Sequence, residues 1–468
     1  MMLQILKKLN FNSLAKSIFS KNLVANLLIL ATGFLVVNSN AQELSYKKDK
    51  SLFIKPIKNL SDKQYDTFIL GRSFFTIPWV EAPSATTARD GLGPLFNANT
   101  CASCHPGNGR GNLYNKDNQF SRNLIGKLSI KNRFTKEHKE ILKTSALIME
   151  PNYGMQIAIN GIHGVNYEAK PDIKFKEKKV IFSDGEIAML LKPTYALKDL
   201  QYGPLHKDAI LTFRLAPSLN GLGLIEDISD KDILKNQDEF DKNNDGISGR
   251  ANFVYSAITK EMELGRYSWK ASIATLKQQT ADAANNDMGI TTSIFPNDTC
   301  TKNQKACNEA PKPRDSIDLT DLRLDAITYY LKNRKTYSAK KDKAYKEGLE
   351  IFKTIGCISC HIDSFVTKKG VEISPFTDML LHDMGEELAD GRSEFKARGN
   401  EWRTPPLWGL ALHEKINKRK PRLLHDGRAR DFQEAILWHG GEARTSKENY
   451  MNLEKELRKK LIKFLEKV

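Results

Sequence analysis

The sequence predicts a mainly α chain built as two units, the first carrying a large β-containing insertion. Three features support this. The pattern C-x-x-C-H occurs twice, at Cys101, Cys104 and His105 and again at Cys357, Cys360 and His361. Apolar residues at helical spacing precede each copy and recur where each unit would close. Between the first copy and its closing helix lies far more chain than a small helical unit needs, and parts of it alternate as strands do.

Taken in order, residues 1–41 form an export signal. Lys7, Lys8, Lys16 and Lys21 precede the apolar run Leu23 to Val37, and Ser39, Asn40 and Ala41 supply small residues at the cleavage spacing. The run is short for a membrane span and no comparable run follows, so no span is expected after cleavage, and the address is the periplasm. An uncleaved anchor is the alternative. The first unit, 42–340, opens with a helix over Ser61 to Phe75 and approaches its motif through Gly91, Gly93 and Pro94. Strands are expected at Leu128 to Ile130, Gln156 to Ile159, Ile173 to Phe182 and Ile187 to Leu191. The closing helix spans Leu319 to Lys332, with Leu322, Ile327, Tyr330 and Leu331 on its apolar repeat. Charged residues from Arg334 to Lys346 read as a linker. The second unit, 341–468, has a helix over Asp342 to Thr354 before its motif. An amphipathic helix, Leu453 to Leu465, closes it with Leu457, Leu461 and Phe464.

In C-x-x-C-H, two thiols can add to the two vinyl groups of one haem, and the histidine that follows can bind the iron. Two complete copies behind an export signal argue against a redox dithiol or half a zinc site. The chain is therefore expected to hold two covalent haem c groups, each in a domain with the plan of a small cytochrome c. The remaining cysteines, Cys300 and Cys307, are expected to form a local disulfide, which leaves no thiol for nucleophilic chemistry.

The formal charge is +16. Four of the lysines lie in the leader, which has no acidic residue, so the mature chain would carry +12. A basic surface suits an acidic electron-transfer partner or an anionic membrane surface, and a plain solvated basic surface is the alternative. The lysines are scattered rather than massed, and no nucleic-acid module is visible.

The far side of each ring decides function: methionine raises the potential, a second histidine lowers it, and an open position admits peroxide or oxygen. Beyond the two motif histidines, the candidates are His138, His163, His206, His382, His413, His425 and His439. His439 stands out, because it follows a helix over Phe432 to Trp438 and precedes Gly440 and Gly441, a stop that would hold it firmly. A separate stretch, Asp241, Asn243, Asp245, Gly246 and Ile247, has the spacing of a calcium loop. Position twelve is Asn252 rather than glutamate, so Ca²⁺ binding and a plain Asx-rich turn both stand as readings.

The order of the first C-x-x-C-H, Arg214 to Pro217, Trp269 to Gln279, the second C-x-x-C-H, Arg403 to Pro406, His425 to Gly427 and Glu434 to Ile436 resembles the bacterial di-haem cytochrome c peroxidase superfamily. Gly93 to Asn97, Leu222 to Glu226, Asp287 to Thr291, Leu381 to Gly385 and Trp438 to Gly441 look like its di-haem oxidoreductase branch. The likeness runs from about residue 85 to the C-terminus.

The resemblance implies roles. Trp269 matches the tryptophan between the two haems. Gln279 and Asp287 match a glutamine and an acidic residue beside the peroxide-binding iron, with Asp287 in place of the usual glutamate. His439 stands where those peroxidases place methionine on the C-terminal haem, and where a related protein-oxidising enzyme has tyrosine, so His361 and His439 are the expected axial pair there. For the first haem, His206 lies one residue out of register with the family's distal histidine. His163, Met155, Met288 and an open position are rivals. Leu215 stands where the family's calcium would take a side chain. The implied activity is reduction of hydrogen peroxide at the first haem, using electrons from a small donor protein of cytochrome c or cupredoxin type. A non-catalytic electron carrier is one alternative, and an oxidase of a protein or sulfur substrate the other.

Overall fold

A computed structural model describes residues 44–45, 49, 51–312 and 317–468. The expected export signal, residues 1–41, lies outside the described residues, and among these no helix is long and apolar enough to cross a membrane. In chain order, the elements that position the site begin with helix α1 (Asp62–Thr76). Strands β1 (Leu124–Ile130), β2 (Lys170–Ile181), β3 (Ile187–Lys198) and β4 (Ala209–Leu215) follow. Helices α2 (Leu276–Met288), α3 (Asp321–Lys332), α4 (Lys343–Thr354), α5 (Phe432–Trp438) and α6 (Lys455–Leu465) complete the set.

Helix α1 begins at Ser61, whose hydroxyl accepts from the Gln64 N–H while the Gln64 side chain accepts from the Ser61 N–H. It crosses α3 at Gly71, where a Cβ would lie 1.8 Å from the Ala326 carbonyl oxygen. Without a side chain there the backbones meet, and Phe68 and Phe75 pack on the Tyr330 ring at 5.0 and 5.4 Å. The second motif has the same device. A Cβ on Gly348 of α4 would lie 2.3 Å from Phe464 Cβ of α6, and Tyr345 and Phe352 pack on the Phe464 ring at 5.1 and 5.4 Å. Phe75, Tyr330, Phe352 and Phe464 all belong to one continuous apolar core.

The chain is not mainly α, and that expectation is corrected: it is 29% helical with 20% strand. The described strands form eight two-stranded sheets, most of them two or three residues long. Ladders that short carry no hydrophobic period, so the sequence signals its helices and hides its small sheets. The stretch at Gln156 to Ile159 makes a single bridge to Lys127 instead of a strand, while β4, which pairs with β1 from Leu124↔Leu215 to Ile130↔Ala209, was not expected. The start of the charged stretch at 334–346 is core, not linker. Arg334 is buried and donates to the carbonyls of Phe53 and Leu219, and Thr336–Tyr337 pairs with Leu44–Ser45. Leu322 is 69% exposed, off the packed face of α3.

Strands β2 and β3 form one long hairpin, from Lys170↔Lys198 to Ile181↔Ile187. Its base packs Ile173, Phe175, Tyr195 and Leu197 with Phe213 and Leu215 of β4. Its tip reaches the far end of the chain. Phe182 packs on Tyr450 at 6.1 Å, and Arg458 of α6 pairs with Asp184 and Glu186 at 2.6 and 2.8 Å. Along the way Lys178 pairs with Glu387 and lies 5.5 Å over the Trp438 ring, and Tyr195 donates to Asp426. The insertion of the first unit thus straps the second.

Cys300 and Cys307 are joined in a disulfide with Cα atoms 5.8 Å apart. Gln304, inside that loop, is buried and donates to Glu168, whose other oxygen accepts from the Ala158 N–H at 2.6 Å. Burial pushes the Glu168 carboxyl up to about 8, against the pull of those hydrogen bonds. A carboxyl raised on folding favours the folded state fully below its unfolded pKa, and this contribution is lost as pH rises through the folded value. Thermal unfolding of Glu168→Gln is therefore expected to fall less than that of the parent between about pH 5 and pH 8. Parallel curves for the two proteins would remove this role.

Candidate haem centres

The first motif is a short helix, Cys101–Cys104, capped by Thr100, whose hydroxyl accepts from the Ser103 N–H at 2.9 Å. His105 follows, and its Nδ1–H donates to the Pro217 carbonyl at 2.9 Å. In the second motif, Nδ1–H of His361 donates to the Phe376 carbonyl at 2.9 Å. His439, the C-cap of α5, donates from Nδ1 to the Ala435 carbonyl at 2.7 Å. A carbonyl can only accept, so each ring carries its proton on Nδ1 and keeps the Nε2 lone pair for a metal. Burial holds the imidazoles of His105 and His361 down at about 4 and lowers that of His439. None of the four motif cysteines is paired in a disulfide. Burial pushes Cys101 and Cys357 up to about 12 and raises Cys104 and Cys360 as well, so none is a ready thiolate.

Each motif opens onto a cavity. The first, about 530 Å³, is lined by Cys101, Cys104, His105, Trp269, Gln279 and Asp287. The second, about 190 Å³, is lined by Cys357, Cys360, His361, His439 and again Trp269. Trp269 is buried, donates from Nε1 to the Leu215 carbonyl at 3.0 Å and lies under the Arg110 guanidinium at 5.1 Å. It is a shared wall, as are Arg110 and Arg403.

The two cavities differ in what faces the motif histidine. The second has His439. The first has no histidine but His105 among the described residues. His206 instead donates its N–H to Glu150 and accepts the Asp208 N–H at Nδ1, and His163 is exposed beside Glu81. Met155 lines the first cavity, and the Met288 sulfur lies 4.0 Å from Cys101 Sγ.

Helix α2 supplies the polar wall of the first cavity. Gln279, Asp282 and Asn286, at i, i+3 and i+7, share one face. Asp287 accepts from Gln156 Nε2 at 2.8 Å, and Gln156 in turn accepts from the Lys127 ammonium. Asp282 accepts from Asn286 Nδ2 at 3.0 Å, and burial pushes its carboxyl up to about 6 although Lys127 pulls the other way. Burial also lowers the pKa of Lys127. Lys127, Gln156 and Asp282 escaped the sequence reading. The available signal was Lys127 itself, the only charge in the apolar strand Leu124–Ile130.

These residues fit haem. Gln279 Oε1, Asn220 Nδ2, Trp408 Nε1 and Arg214 Nε are buried with no partner in the chain, and all four residues line the first cavity. Buried polar atoms without partners are costly, so a polar group beyond the protein is the natural complement. The Asp241–Asp245 turn fits a metal less well. Asp241 accepts the N–H groups of Asp245 and Gly246, and Asp245 accepts that of Ile247. No group of three or more His, Cys, Asp or Glu side chains among the described residues is placed to hold a metal ion.

Two C-x-x-C-H sites separated by one tryptophan define a di-haem redox protein. The chain belongs to the family described as di-haem oxidoreductase, putative peroxidase, whose model matches residues 36–468. No curated protein and no solved structure matches the chain.

Proposed function

We propose that this di-haem oxidoreductase is an exported, periplasmic peroxidase that reduces hydrogen peroxide at the first haem site. The observation that carries the reading is the asymmetry of the two cavities. The larger one faces Gln279, Asp282, Asp287 and Lys127 and has no second histidine among the described residues, whereas the smaller one has His439.

Cys101 and Cys104 would attach one haem by thioethers and Cys357 and Cys360 the other, with His105 and the pair His361 and His439 as iron ligands. Bound haem would supply the electron exchange and the metal coordination. The chain's own residues handle protons and orientation. Peroxide takes two electrons and two protons to give two waters. A carboxylate in the cavity moves a proton between the peroxide oxygens, a task for Asp282 or Asp287, and the Gln279 side chain steadies the departing oxygen. Gln156 orients Asp287, and Lys127 holds Gln156. Trp269, in both walls, lies on the electron path between the sites. Arg110 and Arg403, also in both walls, are placed to offset ring carboxylates. The basic chain suits an acidic cytochrome c or cupredoxin as donor.

Stopped-flow mixing of the reduced holoprotein with hydrogen peroxide is the test. Haem oxidation well above the protein-free background is expected, and oxidation no faster than that background would sink the reading. Met155, a thioether in the first cavity, favours one second reading, an electron carrier with both irons six-coordinate. Low-spin spectra for both haems in every redox state would select it.

A further inference from the structure

We propose that His382 is a positioning residue for the second haem site, an imidazolium that bridges Asp378 and Glu442 and thereby clamps the loop carrying His439. This rests on His439 being the ligand there. His382 is 2% exposed, with Nε2 at 2.7 Å from Asp378 Oδ2 and Nδ1 at 2.7 Å from Glu442 Oε2. Both ring nitrogens face carboxylates, so the ring is charged and has no lone pair for iron. Burial opposes that charge, yet Asp378 above all holds the pKa well above the usual histidine value. The same Nδ1 lies 3.6 Å from Cys360 Sγ, so the bridge touches the attachment side of the second site as well.

Glu442 is the first side chain after His439 that can anchor the loop, because two glycines intervene. It receives three donors from two segments: His382 Nδ1 and the Asp383 N–H at 2.9 Å from one strand, and the Ser248 N–H at 2.9 Å from another stretch. The glycines let the loop lie flat on its support. A Cβ on Gly441, whose φ is +52°, would sit 2.2 Å from the Asp383 carbonyl oxygen. His439 therefore stands between two fixed ends, the α5 helix before it and the Glu442 clamp after it. Removing the imidazolium leaves the buried Asp378 carboxylate and the partly buried Glu442 carboxylate without their shared cation and releases the second end.

The experiment compares holoprotein variants His382→Ala, Glu442→Gln and His439→Ala by absorption and EPR, with titration of free imidazole. His382→Ala is expected to turn part of the second haem high-spin and to let imidazole restore the low-spin form at a concentration at least tenfold below that needed by the parent. Glu442→Gln keeps the length and one carbonyl oxygen but loses the charge. It should give a smaller change of the same kind, and it serves alone if His382→Ala does not fold. A second haem fully low-spin in both variants, while His439→Ala opens the site, overturns the clamp. A His439→Ala protein with an unchanged spectrum instead overturns the ligand assignment, and the clamp with it.

Discussion

His439→Met is expected to raise the reduction potential of the second haem by on the order of 100 mV, within the roughly 0.8 V that axial ligands span. The haem should stay attached, because Cys357 and Cys360 are untouched. His439 sits at the C-cap of α5, its ring fixed by the Ala435 carbonyl and its Nε2 free. Imidazole is the stronger donor and favours ferric iron, whereas a thioether favours the ferrous state. Potentiometric titration of both haems would show one potential moving and the other holding. If neither moves, His439 is not a ligand.

Asp282→Asn is expected to slow peroxide-dependent oxidation about 10²-fold, the typical contribution of a positioned acid–base group. Asp282 lines the first cavity on the same face of α2 as Gln279, and burial puts its carboxyl at about 6. To accept the first peroxide proton it must be ionised, so the parent rate should climb as pH passes through about 6, and the variant should lose that step. Asp287→Asn tests the neighbouring carboxylate, which Gln156 already engages at 2.8 Å. Single-turnover rates for the two variants assign the proton: a large loss in one and a small loss in the other names the group. Normal rates in both would remove α2 carboxylates from the chemistry.

Much of the candidate site was legible because it is local. C-x-x-C-H packs two cysteines and a histidine into five residues, and in each unit all three line one cavity. The helix before Gly440 marks His439 by its stop, and His439 lines the second cavity. The helices were legible because Phe68 and Phe75, or Tyr345 and Phe352, recur at helical period around a glycine. What escaped depends on residues far apart in the chain. Lys127 on β1 meets Gln156, which meets Asp287 on α2. His382 meets Glu442 only because two glycines let the loop lie on the Leu381–Asp383 strand. Arg334 looks like linker charge until the carbonyls of Phe53 and Leu219 are brought to it. Pattern reports period and caps but not which buried polar group finds which partner.

The hairpin also imposes an order on assembly. Residues 170–198 leave the ribosome long before Tyr450 and Arg458 exist, so Phe182 and the acidic pair Asp184 and Glu186 begin without their partners. The first motif is therefore synthesised while the strap is still loose. The wall of the second site closes only when α6, the last helix, brings Leu461 and Leu465 to it as it docks beneath the hairpin tip. Native closure is a late, long-range event, and a nascent chain stalled short of α6 would leave uncovered the Phe182 ring that the finished protein buries.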